Sequence, residues 1–238
     1  MADPVAMLLE DRFRKVGDEG AEWMPVSDLM AVLMVVFLFI AISLMSNVIT
    51  IADSYQDTRQ DIYRALMEEF GADLVDWEAE IDSETLSVEF LSPDVLFDTG
   101  KIGLKPRFRE IVRDFFPRYL RVLKRFDGFV KEVRIEGHTS SIWNAGVSET
   151  VSYFNNMYLS QERTRSVLKF VYRISELESY RPWIRKHVAA VGYSFAHRRY
   201  TADGTEDVQR SQRVVFRVLT SAEEQLERIR RRGRGHGD

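Results

Sequence analysis

The chain has no cysteine, so no disulfide holds it together, although an oxidising compartment stays open to it. Its four histidines, His138, His187, His197 and His236, are scattered, and none stands at metal-ligand spacing. No Ser/His/Asp or Cys/His arrangement, phosphate loop or paired-acid site occurs, so the sequence carries no enzyme signature and implies no cofactor. Nor is there a basic excess: 33 Lys and Arg against 37 Asp and Glu leave a net charge of -4, which argues against direct nucleic-acid binding. The local exception begins at Glu227, where Arg228, Arg230, Arg231, Arg232 and Arg234 lie among glycines. Such a run reads as a solvated basic tail or as a contact for an anionic surface. At 238 residues there is room for one membrane helix, a connector and one domain of about 100–150 residues.

A second absence is local. Leu29 to Ala52 holds no charged residue. At 1.5 Å per residue this run spans about 36 Å as a helix, enough to cross a hydrocarbon core about 30 Å thick with some tilt. Trp23 stands where an indole favours the headgroup boundary. A cleaved signal peptide fits badly, because the run is long and acids outnumber Arg12, Arg14 and Lys15 before it. Those three bases against Arg59 and Arg64 beyond the span favour a cytoplasmic N-terminus by a narrow margin. Pro25 suits a first helical turn and places Asp28 about one turn inside. That carboxylate is either a helix-end residue wetted by the interface or an intramembrane proton site.

From Asp53 to Phe70, Tyr55, Ile62, Tyr63, Leu66, Met67 and Phe70 form one apolar stripe of a helix ending near Gly71. Val48, Tyr55 and Ile62 repeat every seven residues, which predicts pairing with a second copy as a short coil; lying on the membrane surface is the alternative. Beyond it, the run TLSVEFLS from Thr85 and the run Phe129–Glu136 alternate as strands, and Val188–Val191 and Val214–Leu219 add two more. Phe108 to Leu123 carries a helical stripe that Pro117 should kink or split. A further helix is expected over Leu159–Glu178, with Ser160 as its N-cap. Strands alternating with helices predict an α+β domain, a mixed sheet with helices packed on it.

Four segments in order resemble the OmpA-like peptidoglycan-binding family: Phe97-Asp98-Thr99-Gly100 with Leu104 and Pro106; Ile135-Glu136-Gly137-His138-Thr139; Asn156, Leu159, Ser160 and Arg163; and Gly192-Tyr193 with Gln212-Arg213-Val214. The resemblance implies that Arg163 binds a stem-peptide carboxylate with its planar fork, beside Asn156 and Leu159. Set early in its helix, Arg163 would add to the donors exposed at that helix N-terminus. The family usually places an Asp after Gly-His-Thr to hold the ammonium of diaminopimelate. Here that position is Ser140, so Asn155, Asn156 or Tyr153 is expected to supply acceptors.

A short tail, one helix with an Asp near its start, a linker and such a domain together resemble the MotB class of ion-driven stators. That resemblance makes Asp28 the proton carrier. The run Gly137 to Trp143, with Asn155-Asn156-Met157 and Leu159 to Thr164, resembles the ZorB family of Zorya anti-phage systems. It implies ZorA/MotA-like membrane subunits in a ring around a homodimer of this chain, peptidoglycan as ligand, and an inner-membrane site with the C-terminal domain periplasmic. A flagellar MotB-type stator or a passive wall anchor are the alternatives. The expected organisation is a cytoplasmic tail at 1–23, a transmembrane helix at 24–50, a linker helix at 51–74, the OmpA-like domain at 75–221 and a basic tail at 222–238.

Overall fold

The computed structural model describes residues 23–143 and 146–221. The two tails, and the side chains of Trp23, Pro25, Val48 and Tyr55, lie outside that description, and the expectations placed on them with it. The chain divides into two compact units at Ser54/Tyr55. Helix α1 (Trp23–Phe70) supplies all the described structure of the first unit and the opening of the second. In the first, Asp28–Ser46 has a mean hydropathy of 2.8 and is long and apolar enough to cross a membrane. Leu29, Leu33, Phe37, Ile40 and Leu44 are all exposed along it, which suits a segment whose solvent is lipid.

The second unit is an α+β domain. Its five strands, β1 (Ala79–Asp82), β2 (Ser87–Phe90), β3 (Val130–His138), β4 (Val188–Gly192) and β5 (Arg213–Thr220), lie in the order β1-β2-β5-β3-β4. All neighbours are antiparallel except β3 and β4, which pair in parallel from Val133↔Val188 to Gly137↔Gly192. A parallel pair needs a long crossover, and here it contains the longest helix of the domain, α4. The helices after α1 are α2 (Pro93–Leu96), α3 (Pro106–Lys124), α4 (Glu149–Val171), α5 (Arg181–His187) and α6 (Val208–Ser211), with a 3₁₀ turn at Ser175–Tyr180.

Alternation decides the two faces of the sheet. Val88, Phe90, Val133, Ile135, Phe216 and Val218 enter the core, while Glu89, Glu136, Arg213 and Arg217 take the other side. The stripe of α3 meets the first face with Phe108, Ile111, Phe115, Phe116, Tyr119 and Leu120. Phe115 touches Phe70, Trp77, Phe90, Tyr119 and Phe216 at ring-centroid distances of 4.9 to 6.0 Å. Pro117 was expected to kink or split α3, yet the helix runs through it as one element. A proline there costs about 3 kcal/mol, and fully burying the aromatic rings on either side of it offsets that.

The linker stripe has a different destination from the one its spacing suggested. Ile62, Leu66 and Phe70 are fully buried in the domain's own core, so Ile62 is unavailable to a coil or a membrane surface. Polar contacts clamp the same segment. Arg59 donates to the carbonyls of Ser83 and Glu84 in the β1–β2 turn. Arg118 of α3 meets Glu69 at 2.7 Å and Asp73 at 2.9 Å, with its guanidinium 4.9 Å from the Phe70 ring. Burial opposes that charge, but the hydrogen bonds to Glu69, Asp73 and Asp114 outweigh it and hold the Arg118 pKa above its ordinary value.

If this segment belongs to the core, Leu66→Ala should lower the domain's unfolding free energy by about 2–5 kcal/mol. Asp61→Ala, on the exposed face, should change it by less than about 0.5 kcal/mol. Denaturant unfolding followed by the fluorescence of buried Trp77 measures both, and equally small effects would remove the segment from the core.

Candidate functional site

Two glycines bring α4 onto the sheet. A Cβ on Gly137 would lie 2.7 Å from the Ser160 carbonyl oxygen, and one on Gly192 would lie 2.4 Å from the Gln161 nitrogen. Strands β3 and β4 therefore reach the backbone of α4 itself, at its middle. Ser160 completes the joint: its hydroxyl donates to the Met157 carbonyl and accepts from the Ser194 amide. It is an internal residue and not the N-cap. The cap is Ser148, which accepts from the Val151 amide, and the helix starts ten residues upstream of the expected Leu159. It ends at Val171 instead of Glu178.

This moves Arg163 to mid-helix, away from the donors of the helix N-terminus. Its surroundings are specific nonetheless. Nε donates to the Lys101 carbonyl at 3.0 Å and Nη2 to the Asp98 carbonyl at 3.2 Å, and the guanidinium lies 4.8 Å from the Phe97 ring centre. The Phe97–Leu104 loop that receives it is closed by the Phe97↔Leu104 bridge, with Gly100 supplying a φ of 68°. Burial brings the Arg163 pKa down to about 10, which still leaves a cation at neutral pH. The Nη1 donors have no partner among the described residues.

Arg163, Asn156, Leu159 and Ser140 line one cavity of about 430 Å³, together with Thr99, Thr139 and Gln212. A second, of about 250 Å³, shares Thr99, Arg163, Val208 and Gln212 and reaches inward to His138 and Arg213. Asn155 and Tyr153 do not line either one. Tyr153 instead packs against Phe154 and Phe195. Ser140 is buried, and its hydroxyl accepts from Gln212 Nε2 at 3.2 Å. Thr139 and Gln212 stand in the family-like segments but were given no site role, because nothing in sequence says which loop will fold over the end of β3; both line the cavity.

The charged face of the sheet lies beneath the site and reaches the cavity lining at His138 and Arg213. Glu89 receives Arg199 through both oxygens at 3.0 Å and stands 3.5 Å from Arg213. Arg213 donates to the carbonyls of His197 and Ser211 at 3.2 Å, and burial lowers its pKa to about 10. Glu136 lies 3.1 Å from Arg217 and 3.5 Å from His138. Burial opposes the Glu136 charge, but His138 and Arg217 together bring its pKa below the ordinary value. Buried ion pairs of this kind fix geometry more than they stabilise. The His138 ring stacks on Tyr193 at 5.2 Å and meets His197 edge-on. Its two nitrogens have no hydrogen-bond partner among the described residues, and burial is the main reason its pKa falls to about 4.

No family model matches the chain. It is 47% identical over 222 residues to the Zorya protein ZorB of Escherichia coli (strain ATCC 8739, Crooks), a match covering 90% of this chain and 94% of that protein. Among solved structures it is similar to a MotB-like protein of Desulfovibrio vulgaris, at 18% identity and a TM-score of 0.48, covering 69% of this chain and 96% of the other. It is also similar to the type VI secretion cell-wall anchor of Pseudomonas aeruginosa, at 19% identity and a TM-score of 0.44, covering 66% and 97%. The periplasmic domain of Helicobacter pylori MotB shows 11% identity and a TM-score of 0.41, covering 64% and 86%.

The neutral, buried imidazole makes an acid-side prediction. Its folded pKa lies below the ordinary 6.5, so the stability it supports is complete above pH 6.5 and declines as pH falls toward 4. The loss across that window should be about 3 kcal/mol, and Glu136 adds a further loss below its ordinary 4.5. In His138→Gln the slope between pH 6.5 and 4.5 should flatten. Unfolding free energies of both proteins across this range measure it, and parallel slopes would assign the acid sensitivity elsewhere.

Proposed function

We propose, from the premise that this chain belongs to the ZorB family of Zorya proteins, that it is the wall-anchored, proton-carrying stator subunit of an inner-membrane motor. The observation that carries the anchoring half is the cleft at Arg163. A half-buried guanidinium, held in one plane by two carbonyls and a ring, keeps donors unspent beside Asn156, Thr139 and Ser140. Preorganised donors of this kind bind a planar carboxylate through charge-assisted hydrogen bonds. The stem peptides of peptidoglycan present such carboxylates in quantity. Asn155 and Tyr153, outside the cleft lining, are set apart from this ligand role.

Asp28 supports the motor half. It is an exposed carboxylate at the head of the apolar span Asp28–Ser46, and a lone ionisable group there is costly unless partner subunits enclose it. In this reading the N-terminus is cytoplasmic and the domain periplasmic. Two copies stand within a ring of ZorA/MotA-like subunits, and proton passage through Asp28 draws on about 2.3 kcal/mol per charge per 100 mV.

Substitutions at two positions test the halves separately. Arg163→Ala should reduce co-sedimentation of the full chain with purified sacculi by roughly 10- to 100-fold in affinity, for a lost contact of about 1.5–3 kcal/mol. Arg163→Lys should recover only part, since it keeps the charge without the fork. Undiminished binding by a folded Ala variant would remove Arg163 from the site. Asp28→Asn should assemble normally with its membrane partners and abolish phage protection in the same cells; full protection would end the proton-carrier role.

A further inference from the structure

The cleft is unbalanced in charge. Among the described residues lining its two connected cavities there is no Asp or Glu, while Arg163 and Arg213 both contribute. The carboxylates around it are already engaged: Glu89 faces Arg199 and Arg213, and Glu136 faces Arg217. Asp98 faces Lys105 at 3.3 Å, and Glu206 accepts from the Ser141 amide and hydroxyl and stands 4.0 Å from Arg198. The remaining polar lining is neutral. Thr139 Oγ1 is buried without a partner. Asn156, also buried, donates through Nδ2 to Ser152 at 3.4 Å and keeps its carbonyl oxygen. Ser140 is held by Gln212.

We infer that this cleft selects peptide stems whose side-chain amine is acylated, as in a cross-link, over stems that carry the free ammonium. The inference rests on the wall-binding reading above and narrows its ligand. A terminal diamino acid brings a carboxylate and an ammonium on one carbon. When Arg163 takes the carboxylate, the ammonium must leave water for a lining without Asp or Glu, where the nearby carboxylates Glu89 and Glu136 already face arginines. An unpaired buried charge is far more costly than an amide N–H, which one neutral acceptor satisfies. Thr139, Ser140 and Asn156 offer acceptors of that kind. The adjoining cavity, about 250 Å³, leaves room for the acyl group.

The test uses the full chain in lipid nanodiscs and two soluble tripeptide stems ending in diaminopimelate, one with the side-chain amine free and one with it acetylated. The dissociation constant of each is measured by calorimetry. The acetylated stem should bind about tenfold more tightly. Ser140→Asp supplies the missing counter-charge and should reverse the order. Gln212→Glu, whose side chain meets Ser140, should shift the ratio the same way if the first variant fails to fold. Equal binding, a preference for the free amine, or a ratio that neither variant moves would overturn the inference while leaving wall anchoring intact. If neither stem binds a chain that still sediments with sacculi, the inference falls alone; if sacculi are not bound either, the wall-binding reading falls with it.

Discussion

The α+β domain depends most on how one cation is held. Arg163 has left much of its water, stacks on Phe97 and spends two of its three nitrogens on the carbonyls of Lys101 and Asp98. Those contacts tie the loop to the cleft beside it, adding to the Phe97↔Leu104 bridge and to the Lys101 amide that donates to the Asp98 carbonyl. They also fix the direction in which the remaining donors act, leaving the fork little rotamer entropy to lose.

The sheet makes that arrangement possible by giving its two faces opposite chemistry. One is an aromatic core in which Phe115 of α3 binds Phe90 and Phe216 to the end of α1. The other is a buried charge layer, Glu89–Arg199–Arg213 and Glu136–Arg217–His138, covered by the segment from Tyr193 to Gln212. Gly137 and Gly192 then let α4 sit against the strand ends with Ser160 at the joint, one turn from Arg163. Each layer is needed to place the next, so the cleft is a tertiary product and belongs to no single motif.

Much of the fold was legible from periodicity. The stripe of α3, the alternation in β2 and β3 and the short apolar runs of β4 and β5 all became the elements their patterns predicted. Besides the Pro117 kink, two expectations failed and one strand was not foreseen, each for a physical reason. The start of α4 was placed at Leu159 because Val151, Phe154 and Tyr158 are apolar on its exposed side, which hides the buried side formed by Ser152 and Asn156; the usable signal was Ser148 followed by Glu149 at a helix start. β1 was missed because Ala79–Asp82 is half-buried along its whole length and does not alternate. The heptad ending at Ile62 misled because an amphipathic stripe states that it will be covered, not by what. At the site, Arg163, Asn156, Leu159 and Ser140 were found through the family resemblance and do line one cavity, while Thr139 and Gln212, present in the same family-like segments, were given no site role because the loop closure that places them is encoded in no local pattern.

A wall anchor has to hold a polymer whose repeating chemistry is carboxylate and amide, at the end of a chain whose other half answers to lipid. The account places the whole of that recognition on Arg163 and the neutral groups around it. The most direct test is a structure of the chain with a soluble peptidoglycan fragment bound. The account predicts a stem carboxylate within hydrogen-bond distance of Arg163 Nη1, with the neighbouring amide facing Thr139, Ser140 or Asn156 and the Lys101 and Asp98 contacts of Arg163 kept. A fragment bound elsewhere with this cleft empty, or one that displaces Arg163 from those carbonyls to reach it, would contradict the account.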